Sequence, residues 1–139
     1  MLFLGTLSYG QLKDIVSDFE FIFHGMGETI RFSKFGERNN FEKIEEMLNG
    51  KDYDIAYKDV DRGIIYALET TTLNYPVIAV YISKYDDYQE YLRQIRNQYN
   101  YIETCNCYIS GKNMRYKFGN RGENDYGKYV IWFEDIHFF

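Results

Sequence analysis

The sequence predicts an α+β fold in which about three helices pack on a curved, mostly antiparallel β-sheet. Short segments of alternating apolar and polar residues occur in groups separated by glycine-containing turns, which favours antiparallel pairing between consecutive strands. Longer segments between these groups carry apolar residues at steps of three and four, which is typical of helices. The predicted order is β-α-ββ-α-βββ-α-βββ. A chain of 139 residues fits a single domain that spans residues 1–139.

The N-terminal third predicts a strand, a helix and a hairpin. Residues 1–4 are apolar and short, which predicts the first strand. A helix over residues 9–18 follows, because Ser8 and Gln11 have the spacing of a capping box. Residues 19–32 alternate on both sides of two glycines, which predicts a hairpin.

A second helix is predicted from Asn40 to Gly50, which are suitable as its N-terminal and C-terminal caps. Its apolar residues recur at helical spacing, and its opposite face is acidic. The carboxylates of that face are Glu42, Glu45 and Glu46.

Residues 52–71 predict another hairpin, with Asp61, Arg62 and Gly63 as the turn. The segment VIAVYI, residues 77–82, is apolar at every position. A strand of this kind is usually covered on both faces, so we expect it in the centre of the sheet.

The third helix is predicted over residues 85–99, where apolar residues lie at steps of three and four. Ser83 and Asp86 repeat the capping-box spacing before it. Three strands are expected to follow, at residues 101–110, 113–118 and 128–133.

Both cysteines lie in the first of these strands, as Cys105-Asn106-Cys107. Residues two apart in a strand point to the same face, so we expect two reduced thiols that fill part of the core. A disulfide between such neighbours is geometrically unfavourable. A zinc site would need His24 and His137 as further ligands, although they are far apart in sequence. A cysteine–histidine nucleophile remains open, because its partners need only meet in space.

The formal net charge of −5 disfavours direct binding of nucleic acid, which depends on lysine and arginine. The one basic segment, GKNMRYKFGNRG, is expected to be a solvated edge strand, with a strip that contacts nucleic acid as the alternative. No signal peptide or membrane-spanning segment is predicted, which favours a cytoplasmic location. No motif for a cofactor or a metal is present in the sequence.

Aromatic residues make up 19% of the chain, and tyrosine and tryptophan are enriched where proteins bind one another. With no catalytic motif, these features favour a small acidic, non-enzymatic protein that inhibits a partner macromolecule by covering its surface. Phage inhibitors of host defence, including anti-CRISPR proteins, and toxin-neutralising immunity proteins share this character, although no sequence resemblance to them is present. The expected partner is a protein, such as a nucleic-acid enzyme or a nuclease complex.

The residues predicted to contact the partner are acidic side chains of the second and third helices together with two aromatic residues. They are Glu42, Glu45, Glu46, Asp86, Asp87, Glu90, Tyr91 and Trp132.

Two other functions remain as alternatives. The first is a small enzyme or nucleotide-binding protein with a dispersed site. Its candidate residues are His24, Cys105, Cys107, Arg115 and His137. The second is a homo-oligomeric structural protein that associates through its aromatic C-terminal segment, residues 128–139.

Overall fold

The structure, a computed structural model, describes residues 16–23, 27–46, 53–69, 76–110, 116–124 and 127–136. These ranges contain three helices and one open eight-stranded antiparallel sheet, which confirms the predicted α+β class. The helices are α1 (Val16–Ile22), α2 (Glu28–Arg38) and α3 (Tyr85–Gln98). The strands are β1 (Glu42–Ile44), β2 (Ile55–Asp59), β3 (Ile64–Glu69), β4 (Val77–Ile82), β5 (Asn100–Ile102), β6 (Cys107–Ile109), β7 (Tyr116–Asn124) and β8 (Gly127–Asp135).

The order of strands across the sheet is β1-β2-β3-β4-β8-β7-β6-β5. The first four strands pair in sequence order, and α3 then carries the chain to β5 at the far edge. The last strands fill the sheet inwards from that edge, so β8 pairs with β4, with Ile82 opposite Tyr129. All six residues of β4 are buried, which confirms its predicted central position.

The two faces of the sheet carry different side chains, because successive residues of a strand point to opposite sides. The helices cover the face that carries Tyr66, Val80 and Phe133. The residues next to these in the strands form a second buried cluster on the opposite face. That cluster contains Ile44, Ala56, Ile65, Ala67, Ala79, Tyr81 and Val130.

Aromatic rings fill much of the core between the helices and the sheet. Phe19 of α1 lies at its centre, with ring centroids 5.8 Å from Phe35 of α2, 6.2 Å from Tyr66 and 5.7 Å from Phe133. These pairs meet edge to face, which is the favourable geometry for aromatic rings. Part of the aromatic surplus of the sequence therefore serves packing and is not available for contacts with a partner.

The predicted hairpin over residues 19–32 is wrong, because most of this segment belongs to α1 and α2. Phe19, Phe21 and Phe23 alternate in the sequence, but they do not share an environment. Phe19 and Phe23 are buried one helical turn apart, whereas the side chain of Phe21 is 60% exposed. Helical packing therefore accounts for the pattern better than a strand does.

The predicted second helix is also wrong. Asn40 adopts a left-handed backbone (φ 59°) and its N–H donates to the carbonyl of Glu37, so it lies where α2 ends. The carboxylate Glu42 then enters β1, opposite Lys58 of β2. Pairing with a neighbouring strand has overridden the local helical pattern. The predicted first strand and most of the predicted first helix lie outside the described residues, although the segment from Val16 onwards is helical.

The expectation for the cysteines is wrong as well, because the segment is not one continuous strand. Residues 103–106 form a turn between β5 and β6, so Cys105 is exposed while Cys107 is buried. Asn106 between them has a left-handed backbone (φ 50°), which brings the two side chains together. A disulfide joins them, with the Cα atoms 5.2 Å apart.

The basic segment also differs from its prediction. Residues 116–124 form β7, which pairs with β6 on one side and β8 on the other. It is therefore an inner strand of the sheet. Arg115 and the residues before it, back to Gly111, lie outside the described ranges.

Gly36 of α2 packs against a ring of the sheet and provides a test of this packing. A Cβ at this position would lie 2.5 Å from ring atoms of Tyr57, which is only 4% exposed. Overpacking of this kind costs about 1–3 kcal/mol, whereas the better helix propensity of alanine favours the change by about 1 kcal/mol. We therefore expect Gly36→Ala to lower the free energy of unfolding in urea by about 1 kcal/mol or more. The control is Lys34→Ala, an exposed position of the same helix, and equal stability of the two variants would contradict this packing.

Candidate functional site

The topology gathers several loops and termini at one end of the sheet. The turn between β2 and β3 lies there, because Asp59 pairs with Ile64. The end of β4 and the start of α3 lie there too, next to the beginning of β8. Four residues of these segments form what we call the turn-end surface. They are Val60, Asp61, Tyr85 and Asp86.

All four side chains of the turn-end surface are exposed. Val60 and Tyr85 are large apolar residues, and each is 58% exposed. Asp61 and Asp86 place a carboxylate next to each of them in the chain. The surface therefore combines apolar contact area with negative charge.

An ion pair joins the two segments of the turn-end surface. Arg62 Nη1 lies 3.1 Å from Asp87 Oδ1, and both side chains are mostly buried. Asp87 is in the first turn of α3, where the helix dipole favours a negative charge. The turn itself requires a glycine at Gly63, whose φ is 72°. These contacts hold the β2–β3 turn against the start of α3.

A hydrogen bond between the Tyr66 and Tyr91 hydroxyls lies beneath this ion pair. Each residue is only 1% exposed. Burial raises the pKa of both hydroxyls well above the ordinary value of a tyrosine, so both remain protonated. The pair fixes α3 to β3 in the core.

Glu90 belongs to a local network on α3. Arg93 Nε donates to Glu90 Oε1 at 2.8 Å, and Gln94 Nε2 donates to Glu90 Oε2 at 3.3 Å. The bond from Arg93 lowers the pKa of the Glu90 carboxyl. Its charge is therefore partly compensated within the helix.

The predicted contact residues on α3 have different environments. Asp86 is exposed on the turn-end surface, whereas Asp87 is 8% exposed and forms the ion pair beneath it. Glu90 is half-buried. Tyr91 is in the core, so the expected contact between this residue and a partner is not compatible with its position.

The remaining predicted residues are not on one surface. Glu42 is exposed at the turn end of β1, while Glu45 and Glu46 are exposed beyond the other end of that strand. Trp132 is half-buried on the opposite face of the sheet, against the second cluster. The three glutamates were placed together by the helix prediction, which the strand β1 overturns.

Val60, Asp61 and Tyr85 are exposed on the turn-end surface, although they were not among the contact residues predicted from the sequence. The sequence predicts a turn at Asp61 and the start of the third helix at Tyr85. The signal in the sequence is the apolar Val60 between two carboxylates, Asp59 and Asp61, next to a predicted turn. The candidates His24, Arg115 and His137 of the alternative function lie outside the described residues.

No family model, curated protein or solved structure matches this chain. In the ranges that the structure describes, no group of three or more His, Cys, Asp or Glu side chains is arranged to hold a metal ion. None of the helices seen there has the length and apolar character needed to cross a membrane.

The tyrosine pair predicts a distinctive pattern of stability. Tyr66→Phe or Tyr91→Phe alone leaves one buried hydroxyl without its partner, which costs about 1–3 kcal/mol. The double variant removes both hydroxyls, so we expect it to be at least as stable as either single variant. Urea unfolding of the four proteins measures this coupling. Additive losses in the double variant would contradict the hydrogen bond.

The same pair makes stability depend on alkaline pH. Above about pH 10, the tyrosines ionise in the unfolded chain but stay protonated in the folded chain. The unfolded state then binds fewer protons, so the free energy of unfolding falls as pH rises. We expect the free energy of unfolding of the double phenylalanine variant, measured in urea, to fall less steeply between about pH 8 and pH 11. An unchanged slope would show that other groups cause the dependence.

Proposed function

We propose that this chain is a non-enzymatic binding protein that inhibits a partner protein in the cytoplasm by covering a basic surface with the turn-end surface. The observation that carries this proposal is the combination of exposed apolar and acidic side chains on the β2–β3 turn and the start of α3, which an ion pair joins. Val60 and Tyr85 supply contact area, and Asp61 and Asp86 supply charge.

The contacts between these two segments support the proposal because they reduce the conformational entropy lost on binding. The Arg62–Asp87 ion pair and the buried tyrosine pair already hold the β2–β3 turn against α3. A surface that is formed before binding loses little conformational freedom when it binds. Tyrosine is also a frequent hot spot in interfaces, since it buries a large ring with few rotatable bonds.

The charge of the surface favours a partner rich in lysine and arginine. Opposite charges speed the encounter and select the orientation of the complex. Proteins that act on nucleic acid carry such basic surfaces, because these neutralise phosphates. A nuclease complex of the kind that phage inhibitors of host defence block is therefore the partner class that we propose.

The test is affinity capture from cells of the source organism with the wild-type chain and with Tyr85→Ala and Asp86→Lys. A partner that wild type captures is then titrated with each variant. We expect Tyr85→Ala to weaken the affinity by about 2 kcal/mol, or roughly 30-fold in Kd. Asp86→Lys should mainly slow association and reduce its dependence on salt.

Two matched variants serve as controls. Ile30→Ala shortens an apolar residue that is 64% exposed on α2, and Glu45→Lys reverses a carboxylate beyond the far end of β1. Both should keep wild-type affinity, and thermal unfolding should show that all four variants are folded. Equal affinity of Tyr85→Ala and wild type would contradict the assigned surface. Failure of wild type to retain any protein would contradict the proposed function.

A further inference from the structure

A cavity of about 100 Å³ lies on the other flank of α3, away from the Arg62–Asp87 ion pair. Leu92 and Ile95 of α3 form one wall, and Phe118 of β7 and Ile131 of β8 form another. An enclosed apolar cavity of about 150 Å³ takes up a benzene molecule. The present cavity is smaller but opens at a rim, so a single six-membered ring would lie partly at that rim, and a fused pair would extend further into solvent.

The rim of the cavity is aromatic. Tyr88, Tyr101 and Tyr108 line it, with the rings of Tyr101 and Tyr108 5.2 Å apart. Tyr88 is stacked on Tyr129 at 4.4 Å, which holds its ring in place. Aromatic walls bind planar rings by stacking and edge contacts, worth about 1–3 kcal/mol for a nucleobase.

Asn106 adds a polar group to this rim. Tyr101 donates a hydrogen bond to Asn106 Oδ1 at 2.9 Å, which orients the side-chain amide. The disulfide between the flanking Cys105 and Cys107 closes the turn around this residue. An amide presents a hydrogen-bond donor and an acceptor side by side. It can therefore pair with a base edge that carries one acceptor and one donor.

Arg96 follows Leu92 by one helical turn, so it lies on the flank of α3 that forms a wall of the cavity. Burial raises the pKa of the Tyr88 hydroxyl, and the charge of Arg96 partly offsets this effect. Arg96 itself is exposed, one residue after Ile95 in α3. A guanidinium in this position is suited to a phosphate attached to a ring in the cavity.

We propose that this cavity binds the ring of a pyrimidine nucleotide. The apolar walls and the tyrosines enclose the ring, Asn106 hydrogen-bonds its edge, and Arg96 pairs with its phosphate. This site adjoins the turn-end surface at Tyr85, whose ring lies 6.4 Å from that of Tyr88, but it does not depend on the function proposed for that surface.

Titration calorimetry with small probes tests the site. Uridine and cytidine 5′-monophosphates should bind with a Kd of about 1 mM or lower, as fits ligands of this size. Adenosine 5′-monophosphate, with two fused rings, should bind at least about 10-fold more weakly, and ribose 5-phosphate should not bind measurably. A Kd well above about 1 mM for both pyrimidine nucleotides would overturn the proposal. Equal binding of ribose 5-phosphate would also overturn it, because no ring would then be recognised.

Variants test the role of each part. Leu92→Trp fills the cavity at a half-buried position. It should weaken the binding of uridine 5′-monophosphate at least about 10-fold. Phe21→Trp, at an exposed position of α1, is its control and should bind as wild type does. Asn106→Asp keeps the acceptor for Tyr101 and tolerates the left-handed backbone, but it lacks the amide donor. It should therefore weaken the binding of the nucleotide at least about 5-fold. Arg96→Gln should weaken the binding of the nucleotide but not the binding of uridine, which has no phosphate.

The outcome for Leu92→Trp is decisive, provided that thermal unfolding shows a folded protein. Wild-type affinity in that variant would place the ligand elsewhere and overturn the proposal. If Leu92→Trp does not fold, tyrosine-selective nuclear magnetic resonance of the wild-type chain replaces it. Shifts at Tyr88, Tyr101 and Tyr108, accompanied by Tyr129 through its stacking on Tyr88, would support the site, and an absence of shifts at the first three would refute it.

The same pyrimidine ring could come from a free nucleotide or from single-stranded nucleic acid. A short oligouridylate distinguishes the two sources. Affinity equal to that of the mononucleotide assigns the site to free nucleotides. Affinity that rises with oligonucleotide length, and falls steeply with salt, assigns it to a nucleic-acid strand.

Discussion

Tyr66 of β3 and Tyr91 of α3 meet hydroxyl to hydroxyl inside a core that is otherwise mainly apolar. Each hydroxyl satisfies the other, so neither is left unpaired in a place that water does not reach. The contact sets the position of α3 on the sheet. Both surfaces to which we assign functions include residues of this helix, and both therefore depend on that position.

The periodicity of α3 divides its side chains between these two surfaces. Asp87, Tyr91 and Gln94 follow one flank, where Asp87 reaches Arg62 of the β2–β3 turn. Tyr88, Leu92 and Ile95 follow the other flank, towards β7 and β8. Residues three and four apart share a helix face, so one helix can brace an exposed surface and wall a cavity. The two sites adjoin at Tyr85, whose ring lies 6.4 Å from that of Tyr88 and 5.9 Å from that of Tyr129.

Several elements were predictable because their patterns are local and strong. The six consecutive apolar residues of β4 indicated a central strand, and α3 was predicted within one residue of its observed end. The predictions for residues 19–32 and 40–50 are wrong for a common reason. In each, the pattern fits a helix or a strand about equally well, and the choice depends on which neighbours cover the segment. Phe21 and Glu42 illustrate this, since one points to solvent from α1 and the other pairs with β2.

The sequence by itself determined the α+β class, the central strand and the acidic, aromatic character of the chain, because composition and short-range periodicity carry this information. Only the tertiary structure decided which aromatic and acidic residues are accessible. Tyr91 and Tyr85 are six residues apart on one helix, yet one is buried against Tyr66 and the other is 58% exposed. Cys105 and Cys107 are joined because a turn at Asn106 replaces an extended strand. Such outcomes depend on contacts between residues distant in sequence, which no local pattern records.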